Sequence, residues 1–484
     1  MKTAYKKYLV LIISLGSWIL SYSQQYSDSL LKYLDIAAKN NPVVLQRYDE
    51  FKAALEKVPQ VGSIPDPELS AGIFLSPMEL VNGNQIADIK LMQMFPWFGV
   101  LKNAKAEMSL MAKAKFELFR DAKLQVFYDV QRTWYELYKV QKGISISEKN
   151  IEILKLIERL ALVKFKSASL GNSANSFPGA SMSSVNNQSN TSGSSGMQSM
   201  GPVQTNPGYS GLSQGFTSIP SSAMGTASAT SDLADIYRIQ IESGDLENNI
   251  ALLMNQVNSI SAQFNTYLNR PVNSQVFTYE NITSDSLEIA LTIVPDSILA
   301  HNPMLSMLEF EKQSLEARKK MVIRMGYPMV GLGLNYSLIG KSKLSMGEPS
   351  MNGKDMVMPM VVFTLPIYRK KYTAMQNETE LLKAATLENY KATSNSLQSE
   401  YYQAVSLYKD AKRRITLYRN QYQLASKSLD LILKSFSASS AGLTDVLRVR
   451  QQTLDFELKQ VEAIADFNTA VAWLKRLMAY TQKQ

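Results

Sequence analysis

The stretch Phe436-Ser-Ala-Ser-Ser-Ala-Gly-Leu-Thr-Asp-Val-Leu447 stands between two long runs of helical periodicity. Before it, Val405, Tyr408, Ile415, Tyr418, Tyr422, Leu429 and Ile432 keep a spacing of mostly three or four. After it, Val446, Val449, Phe456, Phe467, Val471, Leu474 and Met478 do the same. The small residues and Gly442 are expected to stop the first helix, since glycine accepts left-handed caps. Thr444 or Asp445 is expected to cap the second through a side-chain oxygen. The stretch reads as the tip of a very long helical hairpin.

The tip occurs twice. Phe165 and Gly171 match Phe436 and Gly442 at an offset of 271, and Asp235, Arg238, Asp245 and Glu247 match Asp445, Arg448, Asp455 and Glu457 at an offset of 210. About 61 additional residues therefore separate the glycine from the aspartate in the first copy. Asn41-Pro42 and Pro67 match Asn302-Pro303 and Pro328 at an offset of 261. These matches read as a tandem duplication, and a repeat governs the choice of fold. Residues 24–268 form the first repeat, 269–283 a connector and 284–484 the second.

Each repeat contains a pair of strands. In the first, Leu69, Ala71, Ile73 and Leu75 alternate with Glu68, Ser70, Gly72 and Phe74, so a strand is expected at 68–76. Residues 77–85 read as a loop with an Asn-Gly turn, and 86–95 as the second strand. In the second repeat, helix is expected at 286–326, strands at 328–339 and 356–366, and a loop at 340–355. Val330, Leu332, Leu334, Tyr336 and Leu338 face one way along strand 328–339; Gly331, Gly333, Asn335 and Ser337 face the other. Such alternation fits a membrane-barrel strand, with the first set toward lipid. It also fits a half-buried strand of a soluble sheet. Long helices are expected at 100–170, 231–268, 367–436 and 443–480. Seventy residues of helix span about 105 Å, and an apolar stripe of that length needs a partner helix.

Lys2, Lys6 and Lys7 precede an apolar run, Leu9–Leu20, and small residues near Ser23, the pattern of a signal peptide over 1–23. Twelve apolar residues are too few to cross about 30 Å of hydrocarbon. Loss of those lysines lowers the net charge from +9 to about +6, spread along helical faces. No basic stripe with stacking aromatics points to nucleic acid. Cysteine is absent, which excludes disulfides and lipid attachment at an N-terminal Cys. No later apolar run is of transmembrane length, so any membrane crossing must use strands. Four strands cannot close a barrel, and bare edges in lipid are not viable. Other copies of the chain would have to complete it.

With duplication, strand pairs and tips together, the chain resembles the TolC-type outer-membrane efflux protein family over residues 28–480. The markers are Asn41-Pro42, Asn302-Pro303, the strand exit Gln93-Met-Phe-Pro-Trp-Phe-Gly99 and the tip Phe436–Leu447. The resemblance implies a mainly α chain whose duplicated hairpins form a periplasmic coiled-coil tunnel. It further implies a homotrimer sharing a 12-stranded barrel in outer-membrane lipid, which passes cargo from an inner-membrane pump and a periplasmic adaptor. It makes Asp235, Arg238, Phe436, Gly442, Asp445 and Arg448 candidates for a gate at the tips. Two departures stand out. The family's tip glycine is replaced by Ala168 and Ser439, and a second tip acid found in some members is replaced by Arg238 and Arg448.

Residues 172–230 carry no Asp, Glu, Lys or Arg. Rich in Ser, Gly, Asn and Pro, they are expected to be disordered. They read as a tolerated insertion at a loop tip, an adaptor contact, or, through Met182, Met197, Met200 and Met224, a lure for soft ions. Met346, Met351, Met356, Met358 and Met360 cluster at the second loop and the strand after it. Thioethers suit Cu(I) and Ag(I), which some members of the family export, and methionine equally fills irregular packing. Neither a catalytic motif nor a cofactor or metal site emerges, and the only histidine, His301, stands at a helix break. A passive duct and a periplasmic coiled-coil scaffold or adaptor that forms no pore are the two functional readings. The Val330–Leu338 face separates them, since a duct exposes it to lipid and a scaffold covers it with protein.

Overall fold

Asn41 and Asn302 each begin a helix and end another. In the computed structural model, which describes residues 30–171, 228–278, 281–284, 291, 293–343, 350, 352–438 and 440–480, α1 (Leu30–Asn40) leads into α2 (Pro42–Gly62). Proline at the first helical position is tolerated because that N–H has no partner within the helix. Asn41 Oδ1 accepts from the amides of Val43 (2.9 Å) and Val44 (3.3 Å). The expected signal peptide, nearly all of the uncharged insert, Ser439, Met346 and Met351 lie outside the described residues.

From α2 the chain enters β1 (Glu68–Leu80) and β2 (Gly83–Phe95), then α3 (Val100–Gly171) and α4 (Ser228–Tyr267). The second half follows with α5 (Val294–His301), α6 (Pro303–Met325), β3 (Met329–Gly340), β4 (Met356–Thr364), α7 (Arg369–Ser437) and α8 (Leu443–Leu477). Two helices, two strands and two long helices thus occur twice in order. The expected loop over 77–85 is corrected: both strands run on to a tight turn at Val81-Asn82, with an irregularity between Ile73 and Met78. Gly83 makes the turn possible with φ +136°, and a Cβ there would lie 2.5 Å from Gly340 O. In the second half, the first described helix begins at Val294; residues 285–290 and 292, at the start of the expected helix, lie outside the described residues.

α3 has 72 residues and packs against α2, α4, α6 and α8. Its stripe at Val130, Trp134 and Leu137 is buried and continues through Leu154, Ile157 and Ala161, while Leu160 is exposed. A period of 3.6 drifts against a repeat of three and four over many turns, so the seam moves around the helix. Apolar clusters succeed one another along the helices. One centres on Tyr33, Trp134 and Phe264, another on Ile298, Tyr401 and Leu474, a third on Ala411, Ile415 and Phe467.

The four strands form one antiparallel sheet in the order β1-β2-β3-β4, so the two halves join at β2–β3 and β1 and β4 are its edges. Among the described residues, no helix is long and apolar enough to cross a membrane.

Candidate channel wall and helical tip

Register decides what each sheet face carries. Leu91 pairs with Leu69 and with Leu334, and Leu334 with Pro359; Ile89 pairs with Ala71 and Tyr336, and Tyr336 with Val357. Directly opposed residues share a face. Val330, Leu332, Leu334, Tyr336 and Leu338 therefore lie on one face beside Ile89, Leu91, Val357, Val361 and Phe363. Leu332, Leu334, Tyr336 and Leu338 are exposed and Val330 is half-buried. The apolar surface extends across all four strands, since Leu69 is 70%, Ile73 78% and Phe363 62% exposed. Patches of that extent mark a surface meant to meet protein or lipid. The opposite face bears Gly331, Gly333, Asn335 and Ser337, with Asp88, Lys90, Met92 and Met94 across the β2–β3 pairing.

Where the strands meet the helices, aromatic rings gather. Trp97 stacks on Tyr327 with centroids 5.5 Å apart and ring planes 13° from parallel. Phe98 and Tyr368 are exposed nearby in sequence, followed by Arg369, Lys370 and Lys371. Aromatic and cationic residues at such a border match a membrane–water interface.

At the other end of the helices, both tips pack into one cluster. Leu154 and Ile157 of α3, Ile236 and Ile239 of α4, Leu429 and Phe436 of α7, and Leu443, Val446 and Val449 of α8 bury one another. Phe436 is 3% exposed, with Lys164 Nζ 4.5 Å from its ring centroid. The capping expectation is corrected here. Gly442 is the N-cap of α8 in extended conformation (φ −82°, ψ 153°), not left-handed, and no side chain caps that helix. The end of α7 is tied off by serines instead: Ser437 Oγ donates to Lys434 O, and Ser440 donates from both N and Oγ to Ser435 O. Those bonds satisfy helix-end carbonyls without a left-handed residue.

Asp445 pairs with Arg448 at 2.9 Å, and Asp235 with Arg238 at 3.9 Å. Arg238 also donates to Thr444 Oγ1 at 2.7 Å, joining the first tip to the second. From sequence Thr444 is a capping candidate, and nothing there brings it to Arg238. Spacing within a helix reveals i,i+3 partners but not partners on another helix. Farther from the tip, Arg450 donates to the buried Asn150. Burial holds the Glu457 carboxyl above its ordinary range, against the pull of Arg450, Lys149 and Lys142.

His301 is exposed, its Nδ1 3.2 Å from Ser297 O. The two Asn-Pro markers prove to be ties. Asn41 Nδ2 donates to Tyr267 O (2.8 Å) at the end of α4, and Asn302 Nδ2 to Leu477 O (3.1 Å) at the end of α8. Their matched offset was the available signal, and only the fold shows what they hold.

No family model and no curated protein sequence matches the chain. Solved structures do. The outer-membrane channel OprN superposes with a TM-score of 0.65 at 12% identity, covering 93% of this chain and 89% of that one. The CmeC outer membrane channel of Campylobacter jejuni gives 0.62 at 14%, covering 93% and 86%. The outer membrane protein VceC of Vibrio cholerae gives 0.64 at 11%, covering 93% and 96%. The chain has the fold of these outer-membrane proteins over nearly its whole length, which is the fold implied by the TolC-type resemblance.

Proposed function

We propose that a chain with this outer-membrane channel fold works as an outer-membrane efflux duct, assembled as a homotrimer whose three four-stranded sheets close a 12-stranded barrel. The observation that carries the reading is the sheet: one face broadly apolar and exposed, and two edge strands paired on one side only. Unpaired backbone in lipid costs several kcal/mol per group, so a second and third copy must supply the missing partners. The aromatic border at Trp97 and Tyr327 sets the limit of the lipid-facing segment, and the helices continue from it as a tunnel. At the far end the shared cluster around Phe436 and the Arg238–Thr444 bond hold the entrance closed. A periplasmic adaptor docks on the helical tips, and an inner-membrane pump selects the cargo. The test is outer-membrane fractionation with unheated gel electrophoresis and light scattering in detergent. A heat-modifiable trimer in the outer-membrane fraction is expected. A well-folded monomer, or a soluble periplasmic pool with the sheet covered by protein, would overturn the duct.

A further inference from the structure

On the duct reading, the face of the sheet turned from lipid borders the passage, and methionine is sorted onto it. Pairing sets Glu68 opposite Met92, Met92 opposite Gly333 and Gly333 opposite Met360, so one rung across the four strands reads Glu, Met, Gly, Met. Met94 lies opposite Gly331, and Met358 opposite Asn335, on the same face. The outward positions of these strands hold Leu91, Phe95, Val357, Val361 and Phe363. Apolarity alone does not sort residues in this way. A dry lining accepts leucine as readily, and a wet one favours residues such as Asn335 and Ser337.

The glycines make room for the sulfurs. A Cβ at Gly333 would lie 3.6 Å from Met360 Cε and 3.7 Å from Met92 Cε, so these two side chains lean over Gly333 from its two neighbouring strands. A Cβ at Gly331 would lie 2.6 Å from Met94 Sδ, which rests directly on the bare backbone two residues away. Met92 is only 8% exposed. Met92 and Met360 thus meet over Gly333 by their methyl ends, and the Met94 sulfur lies over Gly331 on the same face, along a strip that any larger residue would fill.

Thioether sulfur is a soft, neutral donor suited to Cu(I) and Ag(I), while oxygen-seeking ions such as Mg²⁺ and Ca²⁺ gain little from it. Glu68 closes the rung with a negative charge, and Lys90, opposite Asn335, is the cation on the adjacent rung of that face. We propose that Met92, Met94 and Met360 form a site for a soft monovalent cation, Cu(I) or Ag(I), on the inner wall of the barrel. It lies at the end of the sheet next to the helices, where β2 stops at Phe95. A cation arriving through the tunnel meets it on entering the barrel, and the site serves passage rather than storage.

The trimer in detergent is titrated with silver nitrate in chloride-free buffer by calorimetry. The chain has no cysteine and one histidine, so its other methionines are the main competitors, and the difference between parent and variant, not the parent's total stoichiometry, reads the site. Met92→Leu/Met360→Leu keeps volume and apolarity. The double variant is expected to lose about one Ag(I) per chain, or to bind it at least tenfold more weakly; Met356→Leu, two rungs away, is expected to keep the parent's isotherm. An unchanged isotherm in the double variant overturns the site. X-ray absorption on the Cu(I)-loaded parent reads it without any substitution: a sulfur-only shell of two or three ligands is expected, and a nitrogen or oxygen shell overturns it. Conductance of the metal-free parent in planar bilayers is recorded in parallel. A conducting parent with an unchanged variant isotherm refutes the site alone, and a closed sheet that never conducts refutes the duct.

Discussion

Asn41 and Asn302 each spend both ends of one amide, capping a helix with the oxygen and holding another helix's last carbonyl with the nitrogen. Loss of such a cap costs about 0.5–2 kcal/mol, and a buried carbonyl is left unpaired besides. Asn41→Ala and Asn302→Ala should each lower the thermal midpoint in circular dichroism, whereas alanine at the exposed His301 should not. Asp121 tests burial of charge. Its carboxyl is held above the ordinary range by burial; Arg476 and Arg47 pull it down and Glu400 pushes it up. Unfolded, it titrates near about 3.9. Between that value and its higher folded one, the native state binds more protons, so its contribution to stability falls as pH rises. Asp121→Asn should therefore be more stable than the parent at pH 7, and the gap should close by about pH 3, measured as the difference in melting midpoint. At the tip, Asp235 and Asp445 sit in partly exposed pairs worth about 0–1 kcal/mol. Changing both to Asn should leave the trimer intact. Arg238→Ala, which cuts the bond to Thr444, should raise single-channel conductance more than that double change does.

Among the elements, the sheet gives the sharpest expectation. Leu334→Arg places a charge on the apolar face and should hinder assembly into the outer membrane, at a cost of roughly 2–4 kcal/mol. Heat-modifiable migration reads the loss. Arginine at Gly333 is not a mild control, because Leu91 O lies 3.2 Å from where its Cβ would be; Asn335→Arg is the better change on that face. The strand faces were legible because period two ties position to face without knowledge of any neighbour. Long helices were legible for a similar reason, since a stripe at three and four persists through dozens of residues. The β1–β2 turn was not: Met78 and Gln85 pair beyond an irregularity that breaks alternation, and the stretch then looks like loop. Proline placement marks the sheet's edges in the sequence itself. Pro77 and Pro359 fall on the two edge strands and none on the central pair, where a missing N–H would break the ladder. At the tip, residue types and i,i+3 pairs were legible and the partner across helices was not, since Arg238 and Thr444 are 206 positions apart.

At the scale of the whole molecule, replacing residues 172–227 by the second tip's Ala-Ser-Ser-Ala-Gly should leave basal conductance and trimer stability as they are. Only transport with the pump should change, read as drug or metal tolerance in cells. The proposed opening must also respect the ties at the other end of the hairpins. Tyr267 and Leu477, the last residues of α4 and α8, are pinned by Asn41 and Asn302, while the first residues of those helices lie at the tips. α8 has 35 residues, a rigid arm of about 52 Å. Swinging together with the α7 and α3 helices it packs against, an arm of that length magnifies angle into distance: a turn of about 5° at Leu477 would carry Leu443 through roughly 4–5 Å. On the proposed duct reading, a small turn at the hinge parts the tips once the cluster around Phe436 and the Arg238–Thr444 bond yield, so the latch decides when the door opens and the hinge how far.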